Sequence, residues 1–373
     1  MDAENVKPGL EGVVAGETAI CCVDQGKLLY RGYAIADLAE KVCYEEVAHL
    51  LLYGELPDAK QLDAFRDFLT RAHGLPPAVV EAIRAAPKSA PMMDVLRTGV
   101  SMAAHFEPVR GAGTDDLRRR AVWLIAVASD IVAARIRLLA GNEPIAAKPG
   151  LNHAAQLLYL YRGTVPEEPI AALLDLTMVL YAEHEFNAST FTDRVIASTA
   201  SDMVSAIVGA IGALKGPLHG GANEQSMAMI SRFKSAQEAG TWVREALSRK
   251  EKIMGFGHRV YKHGDHRATI LEGRMRKLAA AKGRQDLVAI YDAIKDPIVN
   301  KAVPIHPNVD FPCGLTYFLM DLPLDLDTPL FVCSRMAGWC AHYIEQTENN
   351  RLYRPLSRYC GPAERPVPPI QQR

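Results

Sequence analysis

The 373-residue chain is poor in the signals that assign a protein quickly to a class. It has no excess of either charge. With 42 Lys and Arg against 43 Asp and Glu, the formal net charge is −1. Nothing in that balance predicts a nucleic-acid partner or an anionic membrane, although a local basic spot can still hold a small anion. It has no leader-like start, because residues 1–12 carry neither a basic stretch nor an apolar one. It has no long uncharged apolar run either. The longest charge-poor stretch, 195–214, is rich in Ala, Ser and Gly and carries Asp202, so it reads as a buried helix rather than a membrane span. Cysteine is sparse and unpaired in pattern: the seven residues are an odd number and form no CxxC. That argues against a disulfide framework and for reduced thiols in a cytoplasmic protein. No GxSxG element marks a serine hydrolase, and no GxGxxG or GxxxxGKS loop marks a nucleotide site.

What is present is mostly helical periodicity. Hydrophobic residues make up 49% and charged residues 23% of the chain, the composition of a globular protein. Its length fits two domains, or one large domain carrying a smaller one. The start predicts a small antiparallel hairpin, with strands at 18–23 and 28–30 around a turn at 24–27. Beyond it the pattern becomes helical. Leu62, Phe65, Phe68 and Leu69 share a face over 59–72, and Leu117, Ala121, Leu124, Ile125, Ala128 and Val132 share one over 116–139. Stretches 171–183 and 196–214 are apolar all round, which predicts buried helices. The small residues of the second suit close packing against another helix, either within the core or across a subunit interface. Prolines at 355, 362, 366, 368 and 369 predict an extended tail from Arg354 onward.

Five polar clusters interrupt these helices. HEFNAST (184–190) follows an apolar helix. GPLHGGANE (216–224) sets His219 beside two glycines, where a ligand can approach the backbone closely. GFGHRVYKHGDHRA (255–268) frames His258 the same way. HPNVDFPCG (306–314) places Asp310 beside a proline-rich loop, and SRMAGW (334–339) places Arg335 among small and apolar residues. Each has an ordinary alternative. A single histidine is usually a packing or surface residue, and an aspartate in such a loop is usually a turn former. Arg335, if buried, needs an anion, and a structural carboxylate serves as well as a substrate. His258, His263 and His266 match no zinc spacing, so no metal is expected.

The order of these clusters along the chain is more specific than any one of them. From LLYRGYAIADLAE (28–40) to NNRLYRP (349–355), the sequence resembles the citrate synthase family, with the histidine and aspartate motifs in the family's order. GLEGVVAGETAICCV (9–23), HEFNASTFT (184–192), SDMVSAIVGAIGAL (201–214) and RYCGPAERPVPPI (358–370) resemble its 2-methylcitrate synthase branch. The resemblance implies an all-α, two-domain helical fold with a small N-terminal β-hairpin. Residues 1–220 and 325–373 would form the large domain and dimer interface, and 221–324 the small domain that closes over the site. It implies a catalytic triad of His219, His258 and Asp310, and oxaloacetate contacts from His184, Asn187, His258, Arg267, Arg335 and Arg354. Arg354 would act in the other subunit of a homodimer, and Lys262 would contact CoA phosphates. No cofactor is bound permanently, since CoA enters as the substrate thioester. The longer N-terminal extension of NADH-regulated members is expected to be absent. His266 stands where the family often has proline, removing one source of rigidity beside Arg267. Leu356 stands where a second tail arginine is common.

The implied reaction suits these residue types. Removing a proton from the carbon beside a thioester needs a base, Asp310, and a donor to the oxygen where charge develops, His219. His258 would hydrogen-bond the ketone of oxaloacetate, and arginines can hold both carboxylates with planar forks. Acetyl-CoA and propionyl-CoA differ by one methylene, and the sequence leaves both open as acyl donors. A catalytically silent, metabolite-binding dimer of the same fold is the alternative reading, although the chain retains every triad residue.

Overall fold

The computed structural model describes residues 6–24, 27–257, 261 and 264–373. Sixteen α-helices, four short 3-10 helices and one small sheet account for the regular structure among them. The expected hairpin is present as Cys21–Asp24 paired antiparallel with Lys27–Tyr30, with Cys21 opposite Tyr30 and Val23 opposite Leu28. Gln25 and Gly26 of its expected turn lie outside the described residues. The chain then reverses again through Arg31–Gly32 and adds a third strand, Tyr33–Ala34. The sequence reading overlooked that strand because two residues are too few to show alternation. Tyr30 is fully buried, and its hydroxyl donates to the Glu183 carbonyl at 2.9 Å, which ties the sheet to the segment carrying His184.

The helix expected over 59–72 is observed as Ala59–Ala72. Asp58 caps it by accepting the Gln61 N–H, while the Gln61 side chain returns to the Asp58 N–H. This reciprocal pair satisfies two donors that a helix start leaves open. Helix Thr114–Leu139 runs through the large core, buried on every side from Ala121 to Arg135. Helix Asp327–Glu348 is buried over nearly its whole length.

The continuous helix expected over 196–214 is instead two helices, Ala188–Ser198 and Met203–Leu214. The break has local causes. Ala200 adopts a left-handed backbone with φ of 63°, and Asp202 accepts the Ser205 N–H at 2.9 Å to start the second helix. A capping aspartate competes for the backbone where uniform apolarity had suggested continuity. Similarly, the helix expected over 171–183 is Glu168–Tyr181 and stops short of the polar segment. The tail from Arg354 is irregular and exposed, as its prolines require, apart from one 3-10 turn at Ile370–Gln372.

Apolar side chains gather in two clusters. The larger surrounds the Thr114–Leu139 and Asp327–Glu348 helices. The smaller runs from Met227 to Leu319 in sequence and includes Ile230, Val243, Met275, Tyr291 and Phe311. Helix Asp310–Leu319 serves both: Phe311 and Leu315 enter the smaller cluster, while Cys313 and Tyr317 enter the larger. Its first residue, Asp310, therefore sits where the two cores meet. No helix among the described residues is long and apolar enough to cross a membrane.

Candidate active site

The segment after helix Glu168–Tyr181 builds one wall. Asn187 caps helix Ala188–Ser198: its side-chain oxygen accepts the Thr190 N–H at 3.1 Å and the Ser189 hydroxyl at 2.8 Å. Its amide donates to the His184 carbonyl at 3.1 Å. Asn187 thus shapes the loop that presents His184. The His184 ring is buried, with Nε2 3.0 Å from the Tyr261 hydroxyl.

His219 occupies the turn between Met203–Leu214 and Ala222–Ile230. Its neighbour Gly220 donates its N–H to the Leu214 carbonyl, and a Cβ there would lie 2.6 Å from that oxygen, so only glycine closes the turn. The Ser189 N–H donates to His219 Nε2 at 3.2 Å, and the Ser189 hydroxyl lies 2.8 Å from the same nitrogen. Nε2 is therefore the acceptor, and Nδ1 carries the proton of the neutral ring. Burial, followed by the positive charge of Arg335, pushes His219 down to about 4. It is a neutral hydrogen-bond donor at pH 7.

Asp310 opens helix Asp310–Leu319, and its Oδ1 accepts the Tyr181 hydroxyl at 2.7 Å. Burial pushes Asp310 up to about 6, against the lowering effects of the Tyr181 hydrogen bond and of Arg267. A carboxylate in that range is mostly ionised at pH 7 and is a better base than a solvated one.

Arg267 and Arg335 are both buried. Arg267 donates from Nε and Nη2 to Asp265 at 3.0 and 2.9 Å, and Asp265 also accepts the Arg267 and Val309 N–H groups. Asp265 thereby caps helix His266–Ala281, neutralises Arg267 and grips the turn before Asp310. Arg335 is different. Its Nε donates to the Tyr181 carbonyl at 2.6 Å and its guanidinium lies over the Phe331 ring at 4.8 Å. Its Nη1 is buried with no hydrogen-bond partner. A buried guanidinium with an unused donor is a receptor for an anion.

Phe331, one turn before Arg335, brings these groups together. Its ring meets Tyr181 edge-on at 4.4 Å and His219 edge-on at 6.3 Å. Asp310, through Tyr181, and His219 therefore flank one ring with Arg335 against it. Tyr181, Ser189, Asp265 and Phe331 were not singled out from sequence. Ser189 was visible inside the HEFNAST cluster, whereas Tyr181 and Phe331 look like ordinary core residues. Arg354 is not brought to this group within the chain: it is exposed, and its guanidinium donates to the Pro355 carbonyl at 2.7 Å. His258 and Lys262 lie outside the described residues, as does His263 of the three-histidine group. Among the described residues, no group of three or more metal-ligating side chains occurs. The assembled parts are an ionised carboxylate, a neutral imidazole donor and a buried cation, which suit proton abstraction beside a carbonyl on or near an anionic substrate.

The family model described as citrate synthase, C-terminal domain, matches residues 9–356. A Corynebacterium glutamicum protein named 2-methylcitrate synthase 2 is 44% identical, over 99% of this chain and 98% of its own. A Mycolicibacterium smegmatis citrate synthase is 41% identical, over 98% and 97%. Among solved structures, the Thermoplasma acidophilum citrate synthase in ternary complex with carboxymethyl coenzyme A and oxaloacetate is 33% identical, with a TM-score of 0.94 and 99% of each chain covered.

Removing the Tyr181 hydroxyl withdraws a hydrogen bond that favours ionised Asp310. Titration of Asp310 by carboxylate NMR should give a midpoint near 6, and Tyr181→Phe should raise it by roughly one unit. A parental midpoint in the ordinary carboxylate range, or one unmoved by the substitution, contradicts this account of the site.

Proposed function

The chain belongs to the citrate synthase family, and from that premise we propose that it condenses propionyl-CoA with oxaloacetate to give 2-methylcitrate and free CoA, with acetyl-CoA as the poorer donor. The family assignment makes the chain a C-acyltransferase that joins an acyl-CoA to oxaloacetate. Its reaction needs no permanently bound cofactor, since CoA arrives as part of the substrate. The propionyl assignment is supported by the relatives named 2-methylcitrate synthase and by the branch-like stretches around residues 9–23 and 358–370.

The observation that carries the mechanism is the grouping of Asp310, His219 and Arg335 around Phe331. Asp310 takes the proton from the carbon beside the thioester. His219, neutral, donates from Nδ1 to the thioester oxygen as it gains charge. The resulting enol attacks the ketone carbon of oxaloacetate, and His258 donates to the ketone oxygen as it becomes an alkoxide. Arg335 and Arg267 hold the carboxylates, with His184 beside them and Asn187 shaping their loop. Water then cleaves the acyl-CoA intermediate, releasing CoA and the tricarboxylate. Lys262 is assigned to the CoA phosphates by its place in the family motif.

Residues 221–324 form the small domain and 1–220 with 325–373 the large one, a division supported by the two apolar clusters. Closure of one on the other excludes water until condensation is complete. The exposed tail suits a segment covered by a second subunit, with Arg354 completing that subunit's site. Seven free thiols suit a reducing cytoplasm.

Free-CoA release at saturating oxaloacetate tests the reaction. We expect kcat/KM for propionyl-CoA to exceed that for acetyl-CoA by roughly tenfold, and Asp310→Asn to lower kcat by about 100- to 10,000-fold. A preference for acetyl-CoA would overturn the propionyl assignment, and release with neither would overturn the reading. Co-assembly tests the shared site. Asp310→Asn and Arg354→Ala subunits, each inactive alone, should recover about a quarter of parental activity when mixed, because a mixed dimer holds one intact site. No recovery contradicts action in trans.

A further inference from the structure

Glu183 is a fully buried carboxylate to which the mechanism above gives no role. Its Oε1 lies 2.9 Å from His342 Nε2, and its Oε2 has no hydrogen-bond partner. His342 cannot supply the missing charge. Its Nδ1 lies 2.9 Å from Arg194 Nη1, and a guanidinium only donates, so Nδ1 is unprotonated and the single ring proton sits on Nε2, donated to Glu183. Arg194 is occupied as well, paired with Glu345 at 2.7 Å. The hydrogen-bonded neighbours of Glu183 therefore orient its carboxyl group without placing a free cation on it.

A buried cation, Arg335, is on the same helix as His342. Along Asp327–Glu348, Arg335, Gly338 and His342 recur at helical spacing and share one face of the helix. A Cβ at Gly338 would lie 2.3 Å from Glu183 Oε2, so glycine there lets the carboxylate rest against the helix one turn from Arg335. Among the described residues, no carboxylate makes an ion-pair contact with Arg335. Burial pulls its guanidinium below the usual value, and Glu183 is foremost among the charges that oppose the pull.

We propose that Glu183 is a positioning residue: anchored by neutral His342 against Gly338, it is the standing counter-ion that offsets the buried charge of Arg335 whenever no substrate anion does. The proposal rests on the reading that oxaloacetate is the anion Arg335 receives. A counter-ion in this place has two effects of opposite sign. It stabilises the ligand-free protein by offsetting a buried cation, and it weakens the grip on a dianion by repelling it, which favours release of a still more highly charged product.

Glu183→Gln separates charge from shape, because the amide oxygen can still accept the His342 N–H. Oxaloacetate binding by calorimetry should tighten by about tenfold. The ligand-free melting temperature should fall, and the rise on adding oxaloacetate should exceed that of the parent. A merely structural role would lower the melting temperature and leave affinity unchanged. Affinity within about threefold of the parent, or weaker, overturns the proposal. Glu183→Asp keeps the charge, so its affinity should stay within about threefold of the parent, and a larger change overturns the proposal even if the glutamine variant does not fold. A parent protein that fails to bind oxaloacetate sinks the functional reading, and this inference with it. Parental binding with an indifferent glutamine variant sinks the inference alone.

Discussion

A guanidinium buried among aromatic and apolar side chains is unstable unless something meets its charge, and Arg335 is such a group. The Tyr181 carbonyl takes one donor, the Phe331 face lies beneath it, and one buried N–H is left over. The surrounding site is organised by that arrangement. The same positive charge adds to burial in keeping His219 neutral, and it draws Asp310 down from where burial alone would place it. Burial is the larger influence on both; at Asp310 it is opposed first by the Tyr181 hydrogen bond and Arg267, with Arg335 behind them.

Much of the fold was legible because its causes are local. The Ala59–Ala72 helix carries its cap and its apolar face in the sequence, and the β-hairpin carries its alternation. The failures are equally physical. The 196–214 stretch reads as one helix on apolarity alone, yet a left-handed Ala200 and the capping Asp202 divide it. Among the site residues, His219, Asp310, Arg267 and Arg335 announced themselves as polar groups in glycine-rich, proline-rich or apolar surroundings. Tyr181 and Phe331 did not, because an aromatic side chain in a helix gives the same signal whether it fills a core or lines a site around a buried carboxylate. Nor could the sequence show that Arg267 is already paired with Asp265 while Arg335 keeps a donor in reserve. That distinction depends on contacts between elements far apart in the chain.

The two apolar clusters give the site its position. Helix Asp310–Leu319 is shared between them, so any change in how the clusters sit together would move Asp310 directly. Asp265 ties the turn before Asp310 to Arg267, which links these two residues through a single carboxylate. An anion that draws on Arg267 and Arg335 together would therefore act on Asp310 as well, which is how oxaloacetate would prepare the site under the function proposed above.

The central claim, that Arg335 is a buried cation held in readiness for a dianion, is tested most directly by titrating oxaloacetate calorimetrically into the parent protein and into Arg335→Gln. The account predicts affinity weaker by about 100-fold in the variant, with its helical content retained. Affinity within about threefold of the parent would contradict it.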